Sequence, residues 1–407
     1  MENKKLDEFN DYIKYRKIAV IGLGVSNIPL LDYLHEKKAK VTVFDQRTID
    51  NISKDVMDKI TSYSFEFSLG ENYLEKLKGF DLIFRSPSCL PTTKELKKEE
   101  ERGAIVTTEI EMLIKMCPAK VIGVTGSDGK TTTTSLINAI LKHAGYKTWL
   151  GGNIGIPLFT KLNEIEKEDI VVLELSSFQL MGMEISPSIS VITNIGTSHI
   201  GNLGSRENIL KAKLEILEGM DKKVLVINND NDLLNEWNKK EHNDIEIHTY
   251  GIENASEVMA ENIELNENDS EFICNIKGNK FKVKVPVGGI HFVYNAICSA
   301  TVGNLLGLSA DEIKKGIETF ELTKKRMDIL ELKNGVTIIN DTYNASFESM
   351  KASLEYLKGL NAKRKIAVLG DMFELGEYSK ELHEKVGVEV YKNNIDILIC
   401  NGENAKN

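Results

Sequence analysis

One stretch limits the fold of this chain more than any other. Lys120-Val-Ile-Gly-Val-Thr125 reads as a buried strand, and it runs straight into Gly126-Ser127-Asp128-Gly129-Lys130-Thr131-Thr132 and a helical pattern that reaches about His143. Glycines let a backbone wrap an anion with successive N–H groups pointing inward. The helix that follows adds the positive end of its dipole. Lys130 can then reach the β- and γ-phosphates of a nucleotide, and the Thr131 hydroxyl can ligate Mg²⁺. The spacing departs from the general G-x-x-x-x-G-K-[ST] loop, because Val124 stands where its first glycine would be. The plain alternative is a structural strand–turn–helix connection. The joint presence of strand, glycines, Lys-Thr and helix favours phosphate.

A buried strand followed by a helix implies a parallel sheet with helices on both faces. The rest of the chain repeats that alternation. Lys17–Gly22, a helix over Ile28–Lys38 and Lys40–Asp45 form one β-α-β unit; Phe80–Phe84 and Ala104–Thr107 continue it. Its turn is Gly22-Leu-Gly24-Val25-Ser26-Asn27, in which Asn27 occupies the third glycine position of a dinucleotide fingerprint. NAD, another nucleotide and a plain turn all remain open from these residues. Asp45 ends the second strand, where an acid that reads a ribose or base would sit. Further strands are expected at Ile170–Leu175, Ser190–Asn194 and Val224–Asn228. Residues 245–286 read as an antiparallel excursion over Ile245–Tyr250, Glu271–Ile276 and Lys280–Val285, with a hairpin turn at Lys277–Lys280. A last α/β unit has strands at Val336–Asp341, Lys365–Gly370 and Ile395–Cys400, with helices at Ser346–Gly359 and Ser379–Asn393.

Composition narrows the class. The 407 residues carry 51 basic and 61 acidic side chains, a net charge of −10, which argues against a protein that coats nucleic acid or an anionic membrane. No apolar run approaches a membrane span, and the charged first 17 residues do not resemble a signal peptide. Five scattered cysteines without Cys-x-x-Cys spacing point to neither zinc nor disulfides, and to a reducing cytoplasm. Glu174 and His199 are expected at the carboxyl edge of the sheet beside the phosphate loop. Lys211 and Lys213 lie on one helical run, where lysines are ordinarily solvated.

Together these pieces resemble the Mur ligases, ATP-dependent amide-bond ligases of peptidoglycan synthesis. Thr125–Thr132 resembles their ATP loop. Gly152-Asn-Ile-Gly155 and Glu174-Leu-Ser-Ser-Phe-Gln179 resemble central motifs, and His291-x-x-x-Asn295, Arg326 and Asn340-Asp341 resemble adenine, hinge and ribose/phosphate positions. The resemblance implies three α/β domains. A Rossmann-like UDP-binding domain spans 1–116. A P-loop ATPase domain with a small antiparallel part spans 117–324. A partial Rossmann-like domain for the amino acid or peptide spans 325–407. Residues 1 to about 195 resemble the branch that adds D-glutamate to UDP-N-acetylmuramoyl-L-alanine. From there the chain resembles the branch that adds D-alanyl-D-alanine to a UDP-muramoyl-tripeptide, through Asn194-Ile-Gly-Thr-Ser-His199, Ile339-Asn-Asp-Thr-Tyr-Asn344 and Leu369-Gly-Asp-Met-Phe-Glu-Leu-Gly376. A hybrid is therefore expected, with a third domain short of its usual length. Ser346-Phe347 stands where an Asn-Pro pair is usual, and Phe292 where asparagine often stands.

The resemblance also implies roles. Val25, Ser26, Asp45 and Arg47 hold the UDP moiety, and Asn153 and Ser176 face the muramoyl-peptide. Gly126, Ser127, Asp128, Gly129, Lys130, Thr131 and Thr132 hold ATP, with Asn295, Arg326 and Asp341. Thr131, Glu174, His199 and Lys213 serve Mg²⁺, Lys213 after carbamylation. Lys130, Glu174, His199 and Lys213 are the expected catalytic set. The expected protein is a cytoplasmic monomer that binds no nucleic acid and no membrane. Its first expected activity is D-glutamate addition. The alternatives are D-alanyl-D-alanine addition and a hybrid that only binds nucleotide.

Overall fold

The computed structural model describes residues 3–219, 223–322, 327–333 and 335–406. The chain forms two compact units, each assembled from separate stretches of sequence. The first takes Met1–Gly123, Trp149–Ser188 and Leu214–Asp221; the second takes Val124–Thr148, Ile189–Lys213 and Lys222–Asn407.

The first unit rests on five parallel strands: β1 (Lys17–Ile21), β2 (Lys40–Asp45), β3 (Glu66–Leu69), β4 (Leu82–Arg85) and β5 (Ile105–Thr107). Their order is β3-β2-β1-β4-β5. Ile18–Ile21 and all of β4 are buried, the mark of strands covered on both faces. The strand order reverses between β1 and β4. At such a switch point the loops beyond the carboxyl ends part and leave a crevice. The rest of the unit includes β6 (Lys120–Thr125) as far as Gly123, β7 (Thr148–Gly152) and β8 (Ile170–Glu174), in the order β6-β8-β7.

A helix at Lys4–Ile13, absent from the expectations above, opens this unit. It buries Leu6, Phe9, Asn10 and Ile13, an i, i+3, i+4, i+7 stripe whose apolar members each contribute ~1.5–3 kcal/mol. Phe9, Tyr33 and Phe84 meet Phe159 edge-on, with ring centroids 6.0, 5.1 and 6.4 Å away. Glu109 is buried, 5 % exposed, and accepts the Phe159 N–H at 3.2 Å. Burial pushes its carboxyl from 4.5 up to about 7, against the smaller lowering by that one N–H. The folded state therefore binds this proton more tightly than the unfolded chain does. The stability it contributes is complete below pH 4.5 and is lost as pH rises through about 7. Glu109→Gln is expected to leave unfolding unchanged at pH 4 and to stabilise the protein by roughly 3 kcal/mol at pH 8. Urea titrations at the two pH values measure this, and equal differences at both would refute it.

The second unit begins with Val124–Thr125 of β6. It adds β9 (Ile189–Ile192), β10 (Lys223–Asn228), β11 (Ile245–Gly251), β12 (Val258–Leu265), β13 (Ser270–Ile276) and β14 (Asn279–Val285). Their order is β14-β13-β12-β11-β10-β9-β6. The expected antiparallel start at Ile245 is corrected. β11 pairs parallel with β10, Lys223 to Ile245 through Asn228 to Tyr250, because the helix Asp232–Asn238 carries the chain across between them. The antiparallel part is β12–β14, and β12, a polar strand, had no expectation. The expected hairpin turn is present, closed by the Ile276–Asn279 pair. Lys277 and Gly278 both lie at positive φ, 48° and 95°, as a two-residue turn of that hand requires.

Helices Lys130–His143, Ile290–Leu305 and Ala310–Glu318 pack together here, and a Cβ at Gly316 would overlap the Ile140 backbone. The last part of the unit holds β15 (Asp328–Glu331), β16 (Thr337–Asn340), β17 (Ile366–Gly370) and β18 (Ile397–Asn401). The expectation that Val336–Asp341 joins the α/β unit is also corrected. β16 forms a local antiparallel hairpin with β15, while β17 and β18 pair parallel with each other. The helices Phe347–Gly359 and Ser379–Lys392 stand where expected. Among the described residues, no helix is long and apolar enough to cross a membrane.

Candidate active site

The phosphate loop joins β6 to the helix Lys130–His143, and its two glycines are required by shape. Gly126 has φ 150°, and a Cβ there would overlap Thr193 Oγ1; Gly129 caps the helix at φ 78°, where a Cβ would lie 2.6 Å from Asn295 Oδ1. Gly126→Ala is expected to lower nucleotide affinity on the order of 10–100-fold, the equivalent of ~1–3 kcal/mol of backbone strain. Calorimetric titration of nucleotide measures it; unchanged affinity would contradict this account of the loop.

The end of β9 staples the loop. Ser127 N–H donates to Asn194 O at 3.0 Å, Asp128 N–H to Asn194 Oδ1 at 2.8 Å, and Thr193 Oγ1 to Asp128 O at 2.6 Å. Gly196 N–H donates to Ser127 Oγ at 2.8 Å. Lys130 Nζ turns back onto the loop and donates to Gly126 O (2.9 Å) and Ser127 O (2.8 Å). Its ammonium thus lies where backbone oxygens stand in for an anion. Thr131 is buried, 1 % exposed. Asn295 is buried beneath the first turn of the helix, and its Oδ1 accepts Thr133 Oγ1 at 3.2 Å. That places it under the loop itself.

Lys213 departs from the ordinary state of a helix lysine. The helix Arg206–Leu214 exposes Lys211 but buries Lys213, 2 % exposed. Burial, and then the neighbouring Lys130 charge, hold the Lys213 amine well below the usual lysine range, against a weaker pull from Asp128. That shift favours the neutral, nucleophilic form of the amine. His199 sits at φ 66°, and its Nδ1 is paired with Glu374. A carboxylate at one ring nitrogen fixes the tautomer and orientation of a histidine, as it does for metal-binding histidines.

Three side-chain oxygens among the described residues are buried without a partner: Thr125 Oγ1, Asp128 Oδ2 and Ser198 Oγ. All three lie at the phosphate loop or next to His199. Buried polar atoms are almost always paired, so these three leave hydrogen-bonding capacity for a polar ligand. It fits a nucleotide and its cation. No three His, Cys, Asp or Glu side chains converge on a metal position among the described residues. Asp341 has both oxygens engaged, by Met327 N–H at 3.3 Å and Ser353 Oγ at 2.6 Å. Arg326 lies outside the described residues.

In the first unit, Val25 and Ser26 follow β1, and Asp45 and Arg47 stand at the end of β2. Gly22 has φ 85°, and a Cβ there would lie 2.7 Å from Ser86 Oγ. Asp45 accepts Leu23 N–H (2.8 Å) and three N–H groups of Arg47, at 2.8, 2.9 and 2.8 Å. Burial pushes the Asp45 carboxyl up, but Arg47 and the backbone donors outweigh it and hold the group below the usual range. Arg47 also donates to Leu23 O at 3.0 Å, so the pair braces the loop that exposes Val25. Asn27, in place of the fingerprint glycine, donates to Ile21 O (3.0 Å) and Gly22 O (2.9 Å) and ties the same loop from below. Elsewhere in this unit Glu174, 1 % exposed, accepts Asn153 Nδ2 at 3.0 Å, while Asn153 N–H donates to its carbonyl at 2.8 Å. Ser176 caps the short helix Ser177–Leu180 in a reciprocal box with Gln179.

Sequence reading assigned no role to Asn194, Ser346 or Glu374. The first and last stand inside quoted motifs, and only their tertiary partners reveal what they do.

Three family models match the chain: a Mur ligase MurD-like N-terminal domain over residues 16–108, a Mur ligase middle domain over 124–303, and a Mur ligase glutamate ligase domain over 325–407. A UDP-N-acetylmuramoylalanine–D-glutamate ligase of Clostridium acetobutylicum is 36 % identical over 98 % of this chain and 83 % of its own length. A solved UDP-N-acetylmuramoylalanyl-D-glutamyl-2,6-diaminopimelate–D-alanyl-D-alanyl ligase of Acinetobacter baumannii is 27 % identical, with a TM-score of 0.60, over 74 % of this chain and 69 % of that one. The MurF ligase of Thermotoga maritima, solved in complex with ADP, shares the fold with a TM-score of 0.66 at 23 % identity, over 98 % of this chain and 84 % of that one.

Proposed function

The chain belongs to the Mur ligase family of ATP-dependent, amide-bond-forming enzymes, and from that premise we propose that it joins D-glutamate to UDP-N-acetylmuramoyl-L-alanine. The observation that carries D-glutamate is the match of 36 % over nearly the whole chain to a ligase of that name. The proposed domain division remains 1–116, 117–324 and 325–407.

The chemistry follows from charge. A carboxylate is a poor acyl donor, so its oxygen first attacks the γ-phosphorus of ATP to give an acyl phosphate and ADP. The amine then attacks the acyl carbon, and inorganic phosphate leaves. Lys130 is proposed to exchange its loop carbonyls for phosphate oxygens and to offset the charge of the transferred group. The first-turn N–H groups of the helix Lys130–His143 add donors to the same oxygens. Thr131, His199 and carbamylated Lys213 are proposed to hold Mg²⁺, and Glu174, oriented by Asn153, is proposed for the same chemistry from its own unit. When bound, that ion would supply positive charge that offsets the repulsion among the anionic reactants. Val25, Ser26, Asp45 and Arg47 are proposed to receive the UDP group, and Asn153 and Ser176 the muramoyl-peptide. Asn295, Asp341 and Arg326 are proposed for the adenosine end.

A second reading, D-alanyl-D-alanine addition, is favoured by the motifs at 194–199, 339–344 and 369–376. Acceptor-dependent ADP release separates the two. UDP-N-acetylmuramoyl-L-alanine with D-glutamate is expected to release ADP faster than the tripeptide acceptor with D-alanyl-D-alanine. Nucleotide binding without acceptor-dependent ADP from either pair would leave only a nucleotide-binding protein.

A further inference from the structure

The phosphate-loop carboxylate of Asp128 is held by a residue 218 positions away. Ser346 Oγ donates to Asp128 Oδ1 at 2.7 Å. Ser346 is itself buried, 3 % exposed, and caps the helix Phe347–Gly359 by accepting Ser349 N–H at 3.2 Å. Two residues further on, Glu348 accepts both the N–H and the hydroxyl of Thr197, each at 3.0 Å. Thr197 directly follows Gly196, whose N–H donates to Ser127 Oγ. The first turn of this helix therefore grips the phosphate loop at two points, Asp128 itself and the loop that staples it.

The rest of Asp128 is equally committed. Its N–H goes to Asn194, its carbonyl accepts Thr193, and Oδ2 is buried without a partner. A carboxylate is also a poor choice for contact with a polyanion, since like charges repel at close range. Glu348 stands near enough for burial and the Asp128 charge to push its carboxyl up. The junction thus balances one hydroxyl bond and two Thr197 bonds against two neighbouring acids, so a change of charge in the loop is felt by the helix.

We propose that Asp128 is a positioning residue whose carboxylate receives Ser346, and that through this bond the helix Phe347–Gly359 reads whether the phosphate loop holds nucleotide. The inference rests on the nucleotide site proposed above and assigns one of its residues a different task. Asp128 serves the segment that carries Glu348, Asp341 and Glu374, and makes no contact with the phosphates.

Reversing the pair tests this. Asp128→Ser leaves two facing hydroxyls, and Ser346→Asp keeps a cap acceptor but faces two carboxylates; the double variant restores one hydroxyl and one carboxylate with roles exchanged. Each single variant is expected to bind ATP within about threefold of the parent, to lose about tenfold in kcat, and to lose the slowing of hydrogen exchange at residues 346–350 that nucleotide produces. The double variant is expected to recover kcat to within about threefold and to regain that slowing. If Asp128→Ser alone weakens ATP binding tenfold while Ser346→Asp does not, Asp128 is a nucleotide ligand and the inference is overturned. It is overturned as well if the double variant stays as impaired as the singles, or if nucleotide leaves exchange at 346–350 unchanged in the parent. A parent that binds ATP but releases no ADP would refute the ligase activity alone, because the exchange measurement still decides this inference.

Discussion

Lys130→Ala is expected to lower kcat/KM for ATP on the order of 10³-fold while the fold is retained. The ammonium is the one positive side chain of the phosphate loop, and two backbone carbonyls already hold it there at 2.8–2.9 Å. Those carbonyls are weak stand-ins for phosphate oxygens, so exchange is favoured when the polyanion enters. Removing one preorganised donor from a site where charge develops costs about 10²–10³ in rate, and the loss of ground-state attraction adds to it. The side chain contributes little to the core, since the helix Lys130–His143 is fixed by Leu136, Ile137, Ile140 and Leu141. Steady-state ADP release with ATP titration, beside a thermal melt, measures the effect. Activity within tenfold of the parent would contradict the loop assignment.

Lys213→Ala is expected to lower kcat by ~10²–10³, the scale of losing one charge-stabilising group, with ATP affinity changed far less. Desolvation and the Lys130 charge hold this lysine well below its usual range and so favour its neutral amine form. That amine can add CO₂ and release a proton, and the resulting carbamate is anionic. The modification turns a lysine whose charged form Lys130 disfavours into a carboxylate-like group that Lys130 attracts. Short carboxylates such as acetate are expected to restore part of the activity of Lys213→Ala by occupying the vacated space. Loss of activity without any such rescue would count against carbamylation, and full activity without the lysine would refute its role.

Local pattern carried much of this in the sequence. β1 and β6 are short apolar runs that end on glycine turns, β2 is a short apolar run that ends on an acid, and the loop 126–132 names its own chemistry. The helix Lys4–Ile13 was equally legible in principle, since Leu6, Phe9 and Ile13 follow helical spacing, but its many charges mask the stripe. β3 and β12 carry exposed polar faces and gave no apolar run to read. The direction of β11 depended on the crossover helix Asp232–Asn238, which its own residues do not encode. The site divides the same way. Lys130 and Glu174 announce themselves by position beside a strand end. By local pattern alone Lys213 reads as an ordinary helix lysine; the family resemblance singled it out, and the structure adds its burial. The pairs Ser346–Asp128 and His199–Glu374 join residues 218 and 175 positions apart, and no local rule reaches that far.

This chain is proposed to activate the carboxylate of a UDP-muramoyl substrate by transferring the γ-phosphoryl group of ATP to it. Isotope transfer tests that most directly. UDP-N-acetylmuramoyl-L-alanine labelled with ¹⁸O in its free carboxylate is incubated with ATP and D-glutamate, and the inorganic phosphate released is analysed by mass. An acyl phosphate predicts that one labelled oxygen leaves with each phosphate formed. Amide product accompanied by unlabelled phosphate would contradict it.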